Sequence, residues 1–233
     1  MSYKTNFLVL KKMSNLIESL IAKLRFNENG LIPAIAQDWL DGSVLMMAWM
    51  NASSIEKTIK TKEVHYWSRS RNELWHKGAT SGCIQLLKDL RYDCDSDVLL
   101  LTIEQQGQGA CHTGERSCFY QATKLTKEDT ENKNLSSNIC TELFETISSR
   151  ETDKVEGSYT NKLLDKGDDL ILKKIGEESA EFIMACKDDD KESISNEAAD
   201  LLFHMQVALS NHKVSWREVL TILANRRGAP RRQ

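Results

Sequence analysis

Two kinds of metal-binding side chain lie close together between positions 93 and 118. The first kind is a carboxylate triplet, Asp93, Asp95 and Asp97, and the second kind is a set of thiols. Carboxylate oxygens favour hard cations such as magnesium, whereas thiolate sulfurs favour zinc. The segment therefore predicts two sites for two different ions. The cysteines of the segment are Cys94, Cys111 and Cys118.

The Leu- and Val-rich run at residues 90–101 predicts a strand around the aspartates. Because side chains alternate between the faces of a strand, the three aspartates would share one face and Cys94 would point to the other. The glycine-punctuated turn at residues 106–109 would bring the two later cysteines round to Cys94.

Three protein ligands leave one position of a tetrahedral zinc for water, as in catalytic sites. Water held by zinc ionises near neutral pH and becomes a nucleophile. Two alternatives stay open, namely a closed structural zinc with His112 as fourth ligand, and thiols that bind no metal. The cysteine spacing is not that of paired CxxC motifs, which weakens the structural alternative. An acidic triplet alone is more often a solvated turn.

Residues 30–120 resemble phosphoribosyl-AMP cyclohydrolase, the enzyme that opens the adenine ring in histidine biosynthesis. The resemblance lies in Asp-Cys-Asp-Ser-Asp at 93–97, Cys-His-Thr-Gly at 111–114 and Ser-Cys-Phe at 117–119, with Trp-Ser-Arg-Ser-Arg at 67–71 and Leu-Trp-His-Lys-Gly at 74–78. It implies that the three cysteines bind zinc and the three aspartates bind magnesium. It also implies a homodimer whose metal sites draw on both chains.

Two basic, hydroxyl-rich turns precede these motifs. Arginine guanidinium groups and serine hydroxyls can donate hydrogen bonds to phosphate oxygens, although a solvated loop can have the same composition. The resemblance favours phosphate binding, because the substrate of that family carries two phosphoribosyl phosphates. The predicted substrate-binding residues are Ser68, Arg69, Arg71, Trp75, Lys77, Thr80 and Ser81.

The reaction implied for this half of the chain is hydrolytic. A zinc-activated water attacks C6 of the adenine ring, and the N1–C6 bond opens. His112 follows Cys111 directly and is the candidate proton carrier. Magnesium would orient the substrate and offset its phosphate charge.

A second acidic group falls on two predicted helices, at residues 168–187 and 192–210. Glu177, Glu178 and Glu181 stand three and four positions apart on the first helix, and Glu197 and Asp200 stand three apart on the second. Such charges are commonly solvated. If they gathered between packed helices they would repel one another unless a divalent cation neutralised them.

Residues 140–227 resemble phosphoribosyl-ATP pyrophosphohydrolase, through the ExxE…ExxD pattern of the all-α nucleotide pyrophosphohydrolases. The resemblance implies that all five acids hold magnesium and that four of them, Glu178, Glu181, Glu197 and Asp200, serve catalysis. Lys173 and Lys174 precede the acids by one turn and are predicted to bind phosphate.

Length and composition indicate two modest domains, since the chain has 233 residues and 40% hydrophobic content. We expect an N-terminal helical extension (1–24), a mixed α+β domain with a mainly antiparallel sheet (25–124), a linker (125–138) and an all-α helical bundle (139–233). Asp41-Gly42 predicts a hairpin, Asn51 or Ser53 predicts the start of a helix, and Ser14 or Asn15 predicts the cap of the first helix.

Several classes of protein are disfavoured. A net charge of −3 gives no general attraction to nucleic acid, and no apolar run is long enough to span a membrane. The six cysteines are unevenly placed, which fits a reducing, cytoplasmic setting; the three outside the metal segment are expected to be structural or incidental. Two other functions stay open, a zinc-stabilised scaffold and a general nucleoside triphosphate pyrophosphatase.

Overall fold

The computed structural model describes residues 3–121 and 138–227, with side chains from residue 11 onward in the first helix. The chain divides into two compact units, Met1–Ser137 and Asn138–Gln233. The predicted linker lies outside the described residues, apart from Asn138. Within the described ranges, no helix combines the length and the apolar character needed to cross a bilayer.

The N-terminal unit contains a six-stranded mixed sheet with the strand order β4-β3-β2-β1-β6-β5. Only β1 and β6 pair in parallel, and the other neighbours are antiparallel. The predicted fold class is confirmed. The strands are β1 (Ile32–Asp38), β2 (Val44–Met50), β3 (His65–Ser68), β4 (Glu73–His76), β5 (Gln85–Tyr92) and β6 (Leu99–Gln105).

Two helices accompany the sheet, α1 (Tyr3–Ile21) and α2 (Ala52–Thr61). The predicted hairpin joins β1 to β2, and α2 begins after Asn51, whose side chain accepts the backbone N–H of Ser54. The predicted cap of α1 at Ser14 or Asn15 is wrong. Because residues 3–13 contain neither proline nor glycine, nothing delays the start of the helix to that point.

The core of this unit lies along the neighbouring interior strands β1 and β6. Their inward side chains are fully buried, and β3 contributes Tyr66, whose hydroxyl donates to Gln85 Oε1 at 2.7 Å. This pair satisfies the polar atoms of an otherwise apolar interior. The fully buried side chains of β1 and β6 are Ile32, Ala34, Ala36, Leu99, Leu101 and Ile103.

The predicted strand over residues 90–101 is wrong, because the chain reverses between β5 and β6. The Asp93 N–H donates to the Val98 carbonyl, and Ser96 adopts a φ of 67° in the turn between them. A turn of Asp, Ser and Asp residues interrupts the apolar run, and their side chains stabilise turns by bonding to the local backbone. The strand-face argument for placing the aspartates therefore does not apply.

All the regular secondary structure among the described residues of the C-terminal unit is helical, as predicted. Helices α5 and α6 begin and end within one or two residues of the predicted bounds, and they pack against each other. Ile147, Leu163, Ile171 and Val207 form the buried centre of the unit. The helices are α3 (Ile139–Ser149), α4 (Tyr159–Lys166), α5 (Asp168–Asp188), α6 (Lys191–Asn211) and α7 (Trp216–Arg226).

Candidate active sites

The three aspartates lie together in the turn between β5 and β6, and not on one face of a strand as predicted. Oxygens of Asp93, Asp95 and Asp97 lie within 4.8 Å of one another, and all three residues are exposed. Asp93 Oδ1 accepts the backbone N–H groups of Asp97 at 3.0 Å and Val98 at 3.1 Å. The turn thus holds an oxygen-only donor set, which fits a hard divalent cation.

The electrostatics of the turn also favour a cation. The charges of Asp95 and Asp93 raise the pKa of Asp97, with desolvation adding to the effect of Asp95. Desolvation acts against ionisation of Asp93 as well, but the N–H groups of Val98 and Asp97 lower its pKa overall. Since like charges oppose the ionisation of Asp97, a bound cation would stabilise the fully ionised triplet.

Cys111 and Cys118 come together at the two ends of a short loop. Ala110 and Cys111 donate their N–H groups to the carbonyls of Arg116 and Glu115, at 3.1 and 3.2 Å, so the loop folds back on itself. Cys118 in turn donates its N–H to a carbonyl of β2 at 2.8 Å. The two thiols then lie within hydrogen-bonding reach of each other.

The pKa values of the two thiols are shifted in opposite directions. The Thr113 hydroxyl, 3.0 Å from Cys111 Sγ, is the main cause of a lowered pKa for Cys111. Burial, with the neighbouring Cys111, raises the pKa of Cys118 to about 11. Cys111 is therefore the more acidic of the two thiols, and a zinc ion would favour the thiolate form of both.

An arginine anchors this loop to the first hairpin. Arg116 Nη2 lies 2.5 Å from Asp41 Oδ2 and 3.8 Å from Asp38 Oδ2, and both carboxylates are almost fully buried. Burial alone would raise the pKa of Asp41, but the Ser43 N–H and the Arg116 guanidinium lower it. Sequence reasoning missed this contact, because the partners lie far apart in the chain and neither stands in a metal-binding pattern.

Cys94 does not join the other two cysteines within one chain. It is exposed, and its Sγ lies 4.0 Å from Asp95 Oδ1. Among the described residues, no group of three metal-binding side chains contains Cys94 with Cys111 and Cys118. The predicted convergence is therefore wrong for a single chain, because the turn places Cys94 with the aspartates.

A cleft of about 820 Å³ joins the cysteine loop to the second basic turn. Lys77 is 6% exposed, and its ammonium lies 6.0 Å from the centre of the Trp75 ring. Cys83, which was expected to be incidental, also lines the cleft. The residues of the cleft that were predicted to function are Arg71, Trp75, Lys77, Thr80, Ser81, Cys111 and His112.

Ser68 and Arg69 do not line that cleft. Ser68 Oγ accepts from the backbone N–H and Nε of Arg71, at 3.4 and 3.3 Å, and so supports that side chain. The Arg69 guanidinium lies 5.0 Å from the ring centre of Trp49. The exposed ring of His112 lies beside the first thiol, with Nδ1 4.0 Å from Cys111 Sγ.

In the C-terminal unit, carboxylates from two helices converge. Oxygens of Glu178 on α5 and of Glu197 and Asp200 on α6 lie within 4.8 Å of one another, and Glu178 is 6% exposed. The charge of Glu178 is the largest cause of a raised pKa for Glu181, and Glu197 adds to it. These oxygens fit a divalent cation between the helices, because Lys174, which pairs with Glu178, is one positive charge against three carboxylates.

Glu177 has different partners. Its carboxylate pairs with Lys173 at 3.2 Å and with Lys174 at 3.0 Å, and it is not part of the described carboxylate cluster. Lys174 also bonds to Glu178 at 3.2 Å, and these two acids raise its pKa. Lys174 thus lies between Glu177 and the cluster, whereas Lys173 is mainly solvated.

Two side chains that sequence reasoning did not assign lie beside the cluster. His204 is 4% exposed, and its Nδ1 lies 3.9 Å from Glu178 Oε1. Tyr159 bonds to the opposite side of that ring at 3.2 Å. Both residues fall in motifs of the pyrophosphohydrolase-like segment, so the signal was the motif and not a metal-ligand spacing.

Comparison with known proteins agrees with this division. The phosphoribosyl-AMP cyclohydrolase family model matches residues 46–120, and the phosphoribosyl-ATP pyrophosphohydrolase model matches residues 140–227. The chain is 65% identical to the histidine biosynthesis bifunctional protein HisIE of Parasynechococcus marenigrum, over 94% of this chain and 100% of the relative. The proteins of the same name from Synechocystis sp. and Gloeobacter violaceus are 58% and 49% identical, over 88% and 87% of this chain and 93% and 90% of those relatives. The chain therefore belongs to the bifunctional histidine-biosynthesis family, in which a phosphoribosyl-AMP cyclohydrolase is fused to a phosphoribosyl-ATP pyrophosphohydrolase.

Proposed function

We propose that the two units catalyse consecutive hydrolytic steps, with magnesium at both carboxylate clusters and zinc at the cysteines. The C-terminal unit converts phosphoribosyl-ATP to phosphoribosyl-AMP and pyrophosphate, and the N-terminal unit then opens the adenine ring. The observation that carries the proposal is the cleft that holds Cys111 and His112 together with Arg71 and Lys77. It combines one proposed zinc-binding thiol, the candidate proton carrier and two cations for phosphate within one recess.

In the N-terminal cleft, the basic and hydroxyl side chains bind the substrate phosphates, and Trp75 is available to stack on the purine. Zinc, when bound at the cysteines, would lower the pKa of a water molecule and so supply the nucleophile for C6. His112 accepts a proton from the nucleophile and donates one to N1 as the N1–C6 bond breaks. Magnesium at the aspartate turn would offset phosphate charge.

In the C-terminal unit, Glu178, Glu197 and Asp200 would hold magnesium, which would neutralise part of the triphosphate charge. A water molecule hydrolyses the linkage between the α and β phosphates, and pyrophosphate leaves. Glu181 accepts the proton of that water, since the charge of Glu178 raises the pKa of Glu181. Lys173 binds an outer phosphate, and Lys174 pairs with Glu178 at 3.2 Å.

The separation of Cys94 from Cys111 and Cys118 supports a homodimer in which each zinc site uses cysteines of both chains. Two protein sulfurs leave a zinc site short of the three protein ligands typical of catalytic zinc. A second chain supplies the missing sulfur if its Cys94 reaches the cysteine loop of the first. The small-molecule substrates and the net charge of −3 give no reason to invoke nucleic acid, and we place the enzyme in the cytoplasm.

The dimer is tested by mixing inactive variants. Cys94→Ala and Cys111→Ala should each abolish ring opening and reduce zinc content. When the two are unfolded and refolded together, mixed dimers have one intact site, so about a quarter of the wild-type ring opening should return, for random mixing of two sites per dimer. Recovery of no activity, with wild-type dimers refolding normally, contradicts a shared site.

The activities are tested with purified protein, phosphoribosyl-ATP and phosphoribosyl-AMP. Release of pyrophosphate from the first and ring opening of the second are expected, with zinc bound. Equal cleavage of ATP would favour a general pyrophosphatase, and no turnover of either substrate would favour a scaffold. His112→Ala should retain zinc while losing most ring opening, and loss of zinc in that variant would make His112 a ligand.

A further inference from the structure

One buried imidazole contacts both helices of the C-terminal carboxylate cluster. His204 lies on α6, one turn beyond Asp200, and its Nδ1 is 2.8 Å from the Asp200 backbone carbonyl. The same nitrogen lies 3.9 Å from Oε1 of Glu178 on α5. The ring therefore touches the backbone of one clustered acid and faces the side chain of another.

The hydrogen-bond partners determine which nitrogen carries a hydrogen. A carbonyl oxygen can only accept, so Nδ1 of His204 must be the donor to Asp200. In the neutral ring this leaves Nε2 as an acceptor, and the hydroxyl of Tyr159 lies 3.2 Å away from it. The Asp200 carbonyl therefore selects the Nδ1–H tautomer, and the Tyr159 hydroxyl stabilises it by donating to Nε2.

Aromatic packing restricts the ring further. Phe203 contacts His204 edge-on at 5.1 Å between ring centres, and Tyr159 contacts it edge-on at 6.0 Å. Tyr159 also lines a separate recess of about 610 Å³ together with Lys154 and Lys162, so its hydroxyl connects an open surface to a buried ring. His204 is contacted by the Asp200 carbonyl, Tyr159 and Phe203, so its side chain has little rotamer freedom. It therefore restricts the position of the neighbouring Glu178 carboxylate.

We propose that Tyr159 and His204 are positioning residues, which hold Glu178 and Asp200 at the spacing that a divalent cation requires. This inference rests on the proposed magnesium role of the cluster. Neither residue contacts the reacting atoms, and both act through the two carboxylates. The pair is the counterpart, for a carboxylate site, of the outer hydrogen bonds that orient metal ligands in general.

The most conservative test is Tyr159→Phe, which removes one oxygen and keeps the ring. Loss of a single hydrogen bond of ordinary strength should weaken cation binding by roughly threefold to tenfold. The probe is Mn²⁺, measured by electron paramagnetic resonance without substrate. The full chain used for it carries asparagine at positions 93, 95 and 97, so that the exposed turn does not contribute.

His204→Asn provides the second arm. The asparagine amide can replace Nδ1–H toward the Asp200 carbonyl, but it is too short to meet the Tyr159 hydroxyl. The double variant should therefore bind Mn²⁺ about as weakly as either single variant, because both remove the same link. His212→Asn is the matched control. His212 directly follows α6 and its ring lies 3.1 Å from Asp168, but it lies away from the cluster.

In chains that keep Asp93, Asp95 and Asp97, pyrophosphate release should fall by a similar factor in both variants, while ring opening in the other unit stays at the wild-type rate. Unchanged Mn²⁺ affinity in Tyr159→Phe, with or without a lower melting temperature, overturns the proposal and leaves a purely structural role. This variant decides the matter even if His204→Asn fails to fold. A parent chain that binds no Mn²⁺ at Glu178 would instead refute the magnesium role itself.

Discussion

Replacing Arg116 should loosen the cysteine loop from the hairpin that supports it. In Arg116→Met the aliphatic stem remains, but the carboxylate of Asp41 loses its only cation within 4 Å among the described ion pairs. That carboxylate is 3% exposed, so water cannot fully replace the lost bond. The variant should therefore lower both the stability of the N-terminal unit and its affinity for zinc.

The magnitude follows from the burial of the two partners. A hydrogen bond between charged groups is worth about 1.5–3 kcal/mol, and the 37% exposure of the Arg116 side chain argues for the lower half of that range. We expect a loss of about 2 kcal/mol in the free energy of unfolding. For a unit of this size, that corresponds to roughly 6–10 °C in melting temperature.

The pH dependence gives an independent check. The pKa of Asp41 is lowered in the folded state, so its contribution is present above the unfolded pKa and is lost as the pH falls through the folded pKa. The difference in stability between wild type and Arg116→Met should thus be constant near neutral pH and shrink below about pH 4.

Calorimetry of the zinc-loaded chain measures the effect, with the transition of the C-terminal unit as internal reference. Arg116→Lys is the matched control, because it keeps the charge but not the fork, and it should recover part of the loss. Wild-type melting and zinc content in Arg116→Met would refute the anchoring role.

Three further predictions concern other parts of the chain. Glu178→Gln combined with Glu181→Gln should abolish pyrophosphate release and leave ring opening intact, and a joint loss of both activities without unfolding would refute separate sites. Glu151 has a lowered pKa, chiefly through its bond to Lys213, so it stabilises the fold above its unfolded pKa. Glu151→Gln should therefore destabilise the C-terminal unit near neutral pH, and this effect should shrink as the pH falls below about 4, as measured by urea unfolding. Gly109→Ala should reduce zinc binding in a metal assay, because the added Cβ would lie 2.3 Å from a carbonyl oxygen of the cysteine loop; normal zinc content would show that the loop can shift at little cost.

Locally encoded elements were predictable from the sequence. The Asp41-Gly42 turn and the Asn51 cap each depend on residues within a few positions of one another. The reversal after Tyr92 was missed, because apolar residues on both sides gave the appearance of one strand. The sequence Asp-Ser-Asp inside that run is a turn signal, and it should outweigh the flanking hydrophobicity.

The candidate sites were predictable in residue type but less so in geometry. Helical spacing predicted one face for Glu177, Glu178 and Glu181 and another for Glu197 and Asp200. It could not show that Glu177 faces lysines of its own helix. Contacts between distant positions, such as Arg116 with Asp41, leave no local pattern. They arise from packing, which a single sequence does not display.

The parallel pairing of β1 with β6 has a consequence for biosynthesis. Ala36 pairs with Leu101, so the centre of the sheet joins segments made at opposite ends of the N-terminal unit. Such distant pairings form slowly, since a long loop must close first. On the ribosome, the sheet cannot close until β6 has left the exit tunnel, and the aspartate turn between β5 and β6 becomes ordered only then. A nascent chain would therefore bind metal ions at the aspartate turn only after the sheet has formed, when the ligand side chains are already in place.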